Sequence, residues 1–128
     1  MKALLIAVVI LWSSVACAAG VRVVDGDTID FDGVPVRILD IDTPETWRAR
    51  CAREAVMGAA AKSRLIELVS GGGEVRFVAQ GYDRFGRVLA RVYVGETNVA
   101  DVLLAEKLAL PYVKGPEAKA WRLKQWCP

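Results

Sequence analysis

Two Asp-Gly pairs, Asp25-Gly26 and Asp32-Gly33, cut the stretch from Val21 to Ile41 into three short runs of strand composition. These are Val21-Arg22-Val23-Val24, the alternating Thr28-Ile29-Asp30-Phe31, and Val34 to Ile41. Asp-Gly between such runs supplies the positive-φ residues of a tight hairpin, so this part of the chain has to form a β-meander. Pro44 stops the third run and biases Thr43 toward an extended backbone.

Beyond Pro44 the period changes. Val56, Ala59, Ala60, Ser63, Ile66 and Val69 recur at helical spacing. This predicts an amphipathic helix over Ala52 to Val69, with those residues turned to the sheet. Gly71-Gly72-Gly73 ends it. Glu74 to Val78 and Val88 to Val94 read as a fourth and a fifth strand, separated by the polar loop Gly81 to Gly86. Asn98 has the chemistry of an N-cap for a second helix, Val99 to Leu108, and Gly115-Pro116-Glu117 opens a third that carries Trp121 toward Trp126. Three strands, a helix, two strands and two helices make a mainly β, α+β domain. That order fits a small closed five-stranded OB-type β-barrel with three helices on one side. At 128 residues, 54% of them apolar, the chain can build one core of its own.

The first residues do not belong to that core. Lys2 precedes the apolar run Ala3 to Trp12, and small residues with an Ala16-Cys17-Ala18 site follow. This is the pattern of a secretory signal peptide over residues 1–19, with a mature domain over 20–128; an uncleaved anchor and a lipid-modified Cys17 are the alternatives. The expectation is export to the periplasm or the medium, with no stable membrane partner after cleavage. Cleavage leaves Cys51 and Cys127, an even pair in an oxidising compartment, which predicts a disulfide rather than two buried thiols.

The chain has no histidine. Histidine general bases, histidine nucleophiles and His-containing zinc sites are therefore excluded. Hydrolytic chemistry has to run on carboxylates, arginines and a hard cation. Asp27 and Asp42 come from neighbouring strands of the meander and can converge at one end of it. With the backbone carbonyl of Thr43 they form an oxygen donor set suited to Ca²⁺ or Mg²⁺. Arg37 lies on the third strand with a parity that points it away from Asp42, so the strand must bend near Leu39-Asp40 for the two to share a site. Asp40 itself reads as a partly exposed strand residue rather than a ligand. Asp83-Arg84-Phe85-Gly86-Arg87 reads as a strand-connecting turn, and Arg87 either lies on the surface or joins Arg37 as a second phosphate-binding guanidinium. Net charge is only +2, so composition alone does not announce a nucleic-acid partner. Two clusters are locally basic: Arg48, Arg50, Arg53, Lys62 and Arg64, and Lys114, Lys119, Arg122 and Lys124.

Together, Asp25-Gly26-Asp27-Thr28, Arg37, Asp42-Thr43-Pro44-Glu45 and Asp83-Arg84-Phe85-Gly86-Arg87 closely resemble the signature blocks of the staphylococcal nuclease-like (thermonuclease) family, in order and at compatible spacing. The resemblance runs from about Val21 to Tyr112. It implies the OB-type barrel, Ca²⁺ held by Asp27, Asp42 and the carbonyl of Thr43, and Glu45 as the residue that orients or deprotonates water. It also implies Arg37 and Arg87 as catalytic arginines. The implied reaction is hydrolysis of phosphodiesters in DNA and RNA to 3′-phosphate ends by a monomer, with single-stranded or locally open substrate preferred. The alternative is a catalytically silent OB-type module that binds single strands. Two departures bear on substrate choice: the loop Thr46 to Arg50 is shorter than the lysine-rich loop of the best-known member, and Phe85 lacks a hydroxyl. Tyr112 is a candidate base-stacking residue.

Overall fold

The computed structural model describes residues 20–128; the leader and Cys17 lie outside the described residues. The elements follow in the order β1 (Val21–Asp25), β2 (Thr28–Phe31), β3 (Val34–Ile38), β4 (Ile41–Asp42), α1 (Ala52–Ser70), β5 (Val75–Tyr82), β6 (Val88–Val94), β7 (Thr97–Asn98), α2 (Val99–Ala105), β8 (Leu110–Pro111) and α3 (Pro116–Trp126). The meander is present as β1-β2-β3, with Val23 opposite Ile29 and Ile29 opposite Val36. A register shift between Val23 and Asp25 bulges the end of β1. The third run does not continue unbroken to Ile41. It turns at Leu39-Asp40, where Asp40 takes φ +70°, and resumes as β4 paired with β8.

The main sheet has the order β1-β2-β3-β6-β5, with β3 and β6 parallel and β7 added beside β6. No ladder joins β1 to β5 among the described residues, so the sheet is curled but not closed, and the closed barrel expected from the element order is corrected to a partly open one. Side chains bridge the gap instead. Phe31 and Phe77 meet edge to face with ring centroids 5.1 Å apart, beside a depression of about 760 Å³ lined by Val21, Val69 and Val75. The core inside the curl is Ile29, Val36, Ile38, Ile41, Leu65, Val92, Val99 and Leu103.

Helix α1 packs with a different face from the one its apolar periodicity predicts. Its buried positions are Glu54, Gly58, Ala61 and Leu65, whereas Val56 is 70% exposed. The inward face is set by close approach. A Cβ at Gly58 would lie 2.6 Å from the carbonyl oxygen of Glu45, so only glycine lets the helix rest on the Pro44-Glu45 backbone. Cys51 caps α1, accepting from the Glu54 N–H at 3.4 Å, and Asn98 caps α2 as its chemistry predicts, accepting from the Ala100 N–H at 3.0 Å. The sulfurs of Cys51 and Cys127 lie at bonding distance, with Cα atoms 6.0 Å apart, which ties the end of α3 to the start of α1.

Candidate active site

The site is built where β2, the turn after β3, and β4 come together. The Asp25-Gly26 turn fits against α1 because Gly26 has no side chain: a Cβ there would meet Thr43 Oγ1 at 2.8 Å and the Ala61 methyl at 2.9 Å. This pins Asp27 beneath Thr43. Asp27 is buried, and its carboxylate accepts from the Thr43 N–H at 3.1 Å and the Thr28 hydroxyl at 3.1 Å.

The Leu39-Asp40 turn resolves the parity of Arg37. Its guanidinium curls back into the turn and donates to the carbonyls of Ile38 (2.8 Å) and Ile41 (3.0 Å). The same group faces Asp27 at 3.2 Å and Asp42 at 3.3 Å through Nη2. Arg37 therefore joins both carboxylates, and Asp40 points away to pair with Arg91 at 3.3 Å as an exposed turn residue.

One residue of this cluster carried no sign in the sequence. Arg122 of α3, almost fully buried, donates from Nε to the second oxygen of Asp42 at 2.8 Å and from Nη1 to the Val113 carbonyl at 3.0 Å. In sequence it belongs to the basic cluster of Lys114, Lys119, Arg122 and Lys124, and a partner eighty positions away leaves no local pattern to find. Asp25 reads in sequence as the first residue of an Asp-Gly turn, and the structure adds it to the cluster. It accepts from the Gly26 N–H at 2.9 Å and the Thr46 hydroxyl at 3.1 Å.

Glu45 projects from the loop that leads to α1, its backbone N–H held by Glu54 at 3.3 Å. Burial and the neighbouring charges of Asp25, Asp27 and Asp42 push its carboxyl above the ordinary range. Burial and the charge of Asp27 push Asp42 up as well, against the opposing pull of Arg37 and Arg122. Asp27 and Asp42 thus share two guanidinium groups while Asp25 and Glu45 add negative charge nearby, and a cation would relieve the repulsion among the carboxylates. No group of three or more His, Cys, Asp or Glu side chains is set to hold a metal among the described residues. The available donors are two carboxylates with a backbone carbonyl, all hard oxygen, and their chemistry fits Ca²⁺ or Mg²⁺ with water completing the shell.

Arg87 does not touch the carboxylate cluster. Its Nε donates to Asp83 at 2.6 Å, and its guanidinium lies 5.4 Å from the Phe85 ring centroid. It shares with Arg37 the wall of a depression of about 600 Å³, which Tyr82, Phe85, Tyr112 and Lys114 also line. Glu45 and Asp42 border a second depression of about 380 Å³ on the α3 side. Arg37 and Arg87 thus line one depression and Asp42 and Glu45 the other, while Asp27 lines neither and meets them through Arg37.

The family model for the staphylococcal nuclease homologues matches residues 35–126, a span that includes Arg37, Asp42, Thr43, Glu45 and Arg87 and begins after Asp27. The SPbeta prophage-derived endonuclease YokF of Bacillus subtilis (strain 168) is 41% identical over 105 residues, covering 77% of this chain and 35% of that protein. Endonuclease YncB of the same organism is 39% identical, covering 77% of this chain and 49% of the relative. Thermonuclease of Staphylococcus hyicus is 33% identical over 93 residues, covering 70% and 55%. The chain thus spans from about a third to just over half of the length of these relatives.

Proposed function

The chain belongs to the staphylococcal nuclease family, and from that premise we propose that it is an exported, Ca²⁺-dependent nuclease that hydrolyses phosphodiester bonds in DNA and RNA. The observation that carries this reading is the pair Arg37 and Arg87 on one cavity wall, with Arg37 also paired to the Asp27 and Asp42 carboxylates. Two guanidinium forks across a cavity suit a phosphate, whose oxygens accept several charge-assisted bonds at once.

In this reading Asp27, Asp42 and the Thr43 carbonyl hold the cation. The bound ion supplies positive charge that polarises the phosphate. Arg37 and Arg87 offset the negative charge that grows on the phosphoryl oxygens. Glu45 orients the attacking water and takes its proton. Water attacks the phosphorus, the bond from phosphorus to the 5′ oxygen breaks, and that oxygen leaves as a 5′-hydroxyl with a proton from solvent, so the other product carries a 3′-phosphate. Tyr82, Phe85 and Tyr112, all exposed, offer stacking surfaces beside the arginines, which supports a preference for single strands. The placement of Cys51 against Cys127 supports an exported, disulfide-bonded protein.

Digestion of a single-stranded DNA oligonucleotide with Ca²⁺, and again with chelator, tests the proposal. We expect cleavage only with Ca²⁺, products whose masses carry a 3′-phosphate, and a loss of about 10²–10³-fold in rate for Arg87→Ala. Cleavage that persists in chelator would refute the metal role. Binding without cleavage in either condition would leave the silent single-strand-binding module as the better reading.

A further inference from the structure

A polynucleotide whose scissile phosphate sits at the arginine pair has to leave the site in two directions. One direction runs along the aromatic wall formed by Tyr82, Phe85 and Tyr112. The other meets the second depression, lined by Asp42, Glu45, Trp47, Arg48, Lys119 and Trp126 among others. Asp42 and Glu45 repel a phosphate backbone there, so a strand can follow that path only where cations and a stacking surface outweigh them.

The loop after Glu45 supplies both. It is fastened at each end, by the Thr46 hydroxyl to Asp25 at 3.1 Å and by the Arg50 N–H to Glu54 at 2.7 Å. Its tip is Trp47 and Arg48. Trp47 is 72% exposed, an unusual position for so large an apolar ring, and the Arg48 guanidinium lies 4.2 Å from its centroid. Arg48 takes φ +59°, a left-handed backbone that is uncommon for a non-glycine residue. Arg50 is committed to Glu54, whereas Arg48 and Lys119 make no ion pair among the described residues. Packing does not explain this arrangement, because Trp47 and Arg48 are both exposed.

We propose that Trp47, Arg48 and Lys119 form a second nucleotide subsite, across Asp42 and Glu45 from the arginine pair. It takes the next nucleotide of a single strand. The base stacks on the indole face that Arg48 leaves free, and the following phosphate lies between Arg48 and Lys119. Stacking on an indole is tolerant of base identity, so the subsite adds affinity for strand length rather than sequence. The inference rests on the nuclease reading only for where the scissile phosphate sits.

The test is the affinity of the purified protein, with Ca²⁺, for fluorescein-labelled phosphorothioate oligo(dT) of eight nucleotides, measured by fluorescence anisotropy. Trp47→Ala should weaken binding about tenfold, and Trp47→Phe should recover most of it. Arg48→Ala should weaken binding and lower the salt dependence by about 0.7 in the log–log slope. Trp121→Ala removes an exposed tryptophan elsewhere and should change nothing. Thymidine 5′-monophosphate, which reaches only the arginine side, should bind Trp47→Ala as it binds the wild type. An octamer affinity for Trp47→Ala within twofold of the wild type would overturn the subsite. So would an equal loss for the monophosphate, which would mean that the loop acts on the fold. A wild type that binds the octamer and never cleaves an ordinary phosphodiester strand would remove the nuclease reading, while the same affinities would still decide the subsite.

Discussion

Arg122 and Asp42 show how much one residue's role depends on a partner far away in the chain. Asp42 has two oxygens, one facing Arg37 at 3.3 Å and the other accepting from Arg122 at 2.8 Å. Arg122→Ala removes a charge-assisted bond and leaves the Val113 carbonyl without its donor. We expect a loss of about 1–3 kcal/mol in unfolding free energy, read from urea titration. Arg122→Lys should recover only part, because an ammonium cannot span both acceptors as the guanidinium fork does. The signature carboxylates and Arg37 were legible in sequence because their spacing is short and their chemistry specific. Arg122 was not, because its function comes from a fold contact.

Helix α1 gives the same contrast one level up. Its existence was legible from periodicity, but its inward face was not. Apolar Val56 and Ile66 face out, while Glu54 and Gly58 face in, because the helix must lie on the Pro44-Glu45 backbone and because Glu54 anchors both ends of the loop from Glu45 to Arg50. Burial alone would push the Glu54 carboxyl up. The bonds from the Arg50 side chain and backbone, and from the Glu45 N–H, outweigh that and hold it below the ordinary range. A depressed folded value means that its stabilisation is full above the unfolded pKa of about 4.3 and is lost as pH falls through the folded value. Glu54→Gln should therefore cost about 1–3 kcal/mol at pH 7. The gap to the wild type should shrink at about pH 3. Urea midpoints at the two pH values check both the size and the sign; a gap unchanged in acid would show that Glu54 acts by packing alone.

For the whole molecule, the sulfurs of Cys51 and Cys127 lie at bonding distance, and a bond between them would close 76 residues of chain and hold α3, with Arg122, against the site. A loop of that length predicts a stabilisation of about 4 kcal/mol from restricting the unfolded chain. We expect the double variant Cys51→Ser/Cys127→Ser to unfold at lower urea by about 2–4 kcal/mol, and reductant to do the same to the wild type. Identical midpoints with and without reductant would mean that the bond does not form in solution. The sequence by itself determined the meander, the helices, the motif blocks and the cysteine pair, because turn chemistry, periodicity and short spacing are written locally. The tertiary structure alone decided the open edge between β1 and β5, the inward face of α1, the Arg122–Asp42 bond and the split of the site into two depressions. Each of these depends on which surfaces approach closely enough to exclude a side chain or share a charge, and that distance is set only when the whole chain has packed.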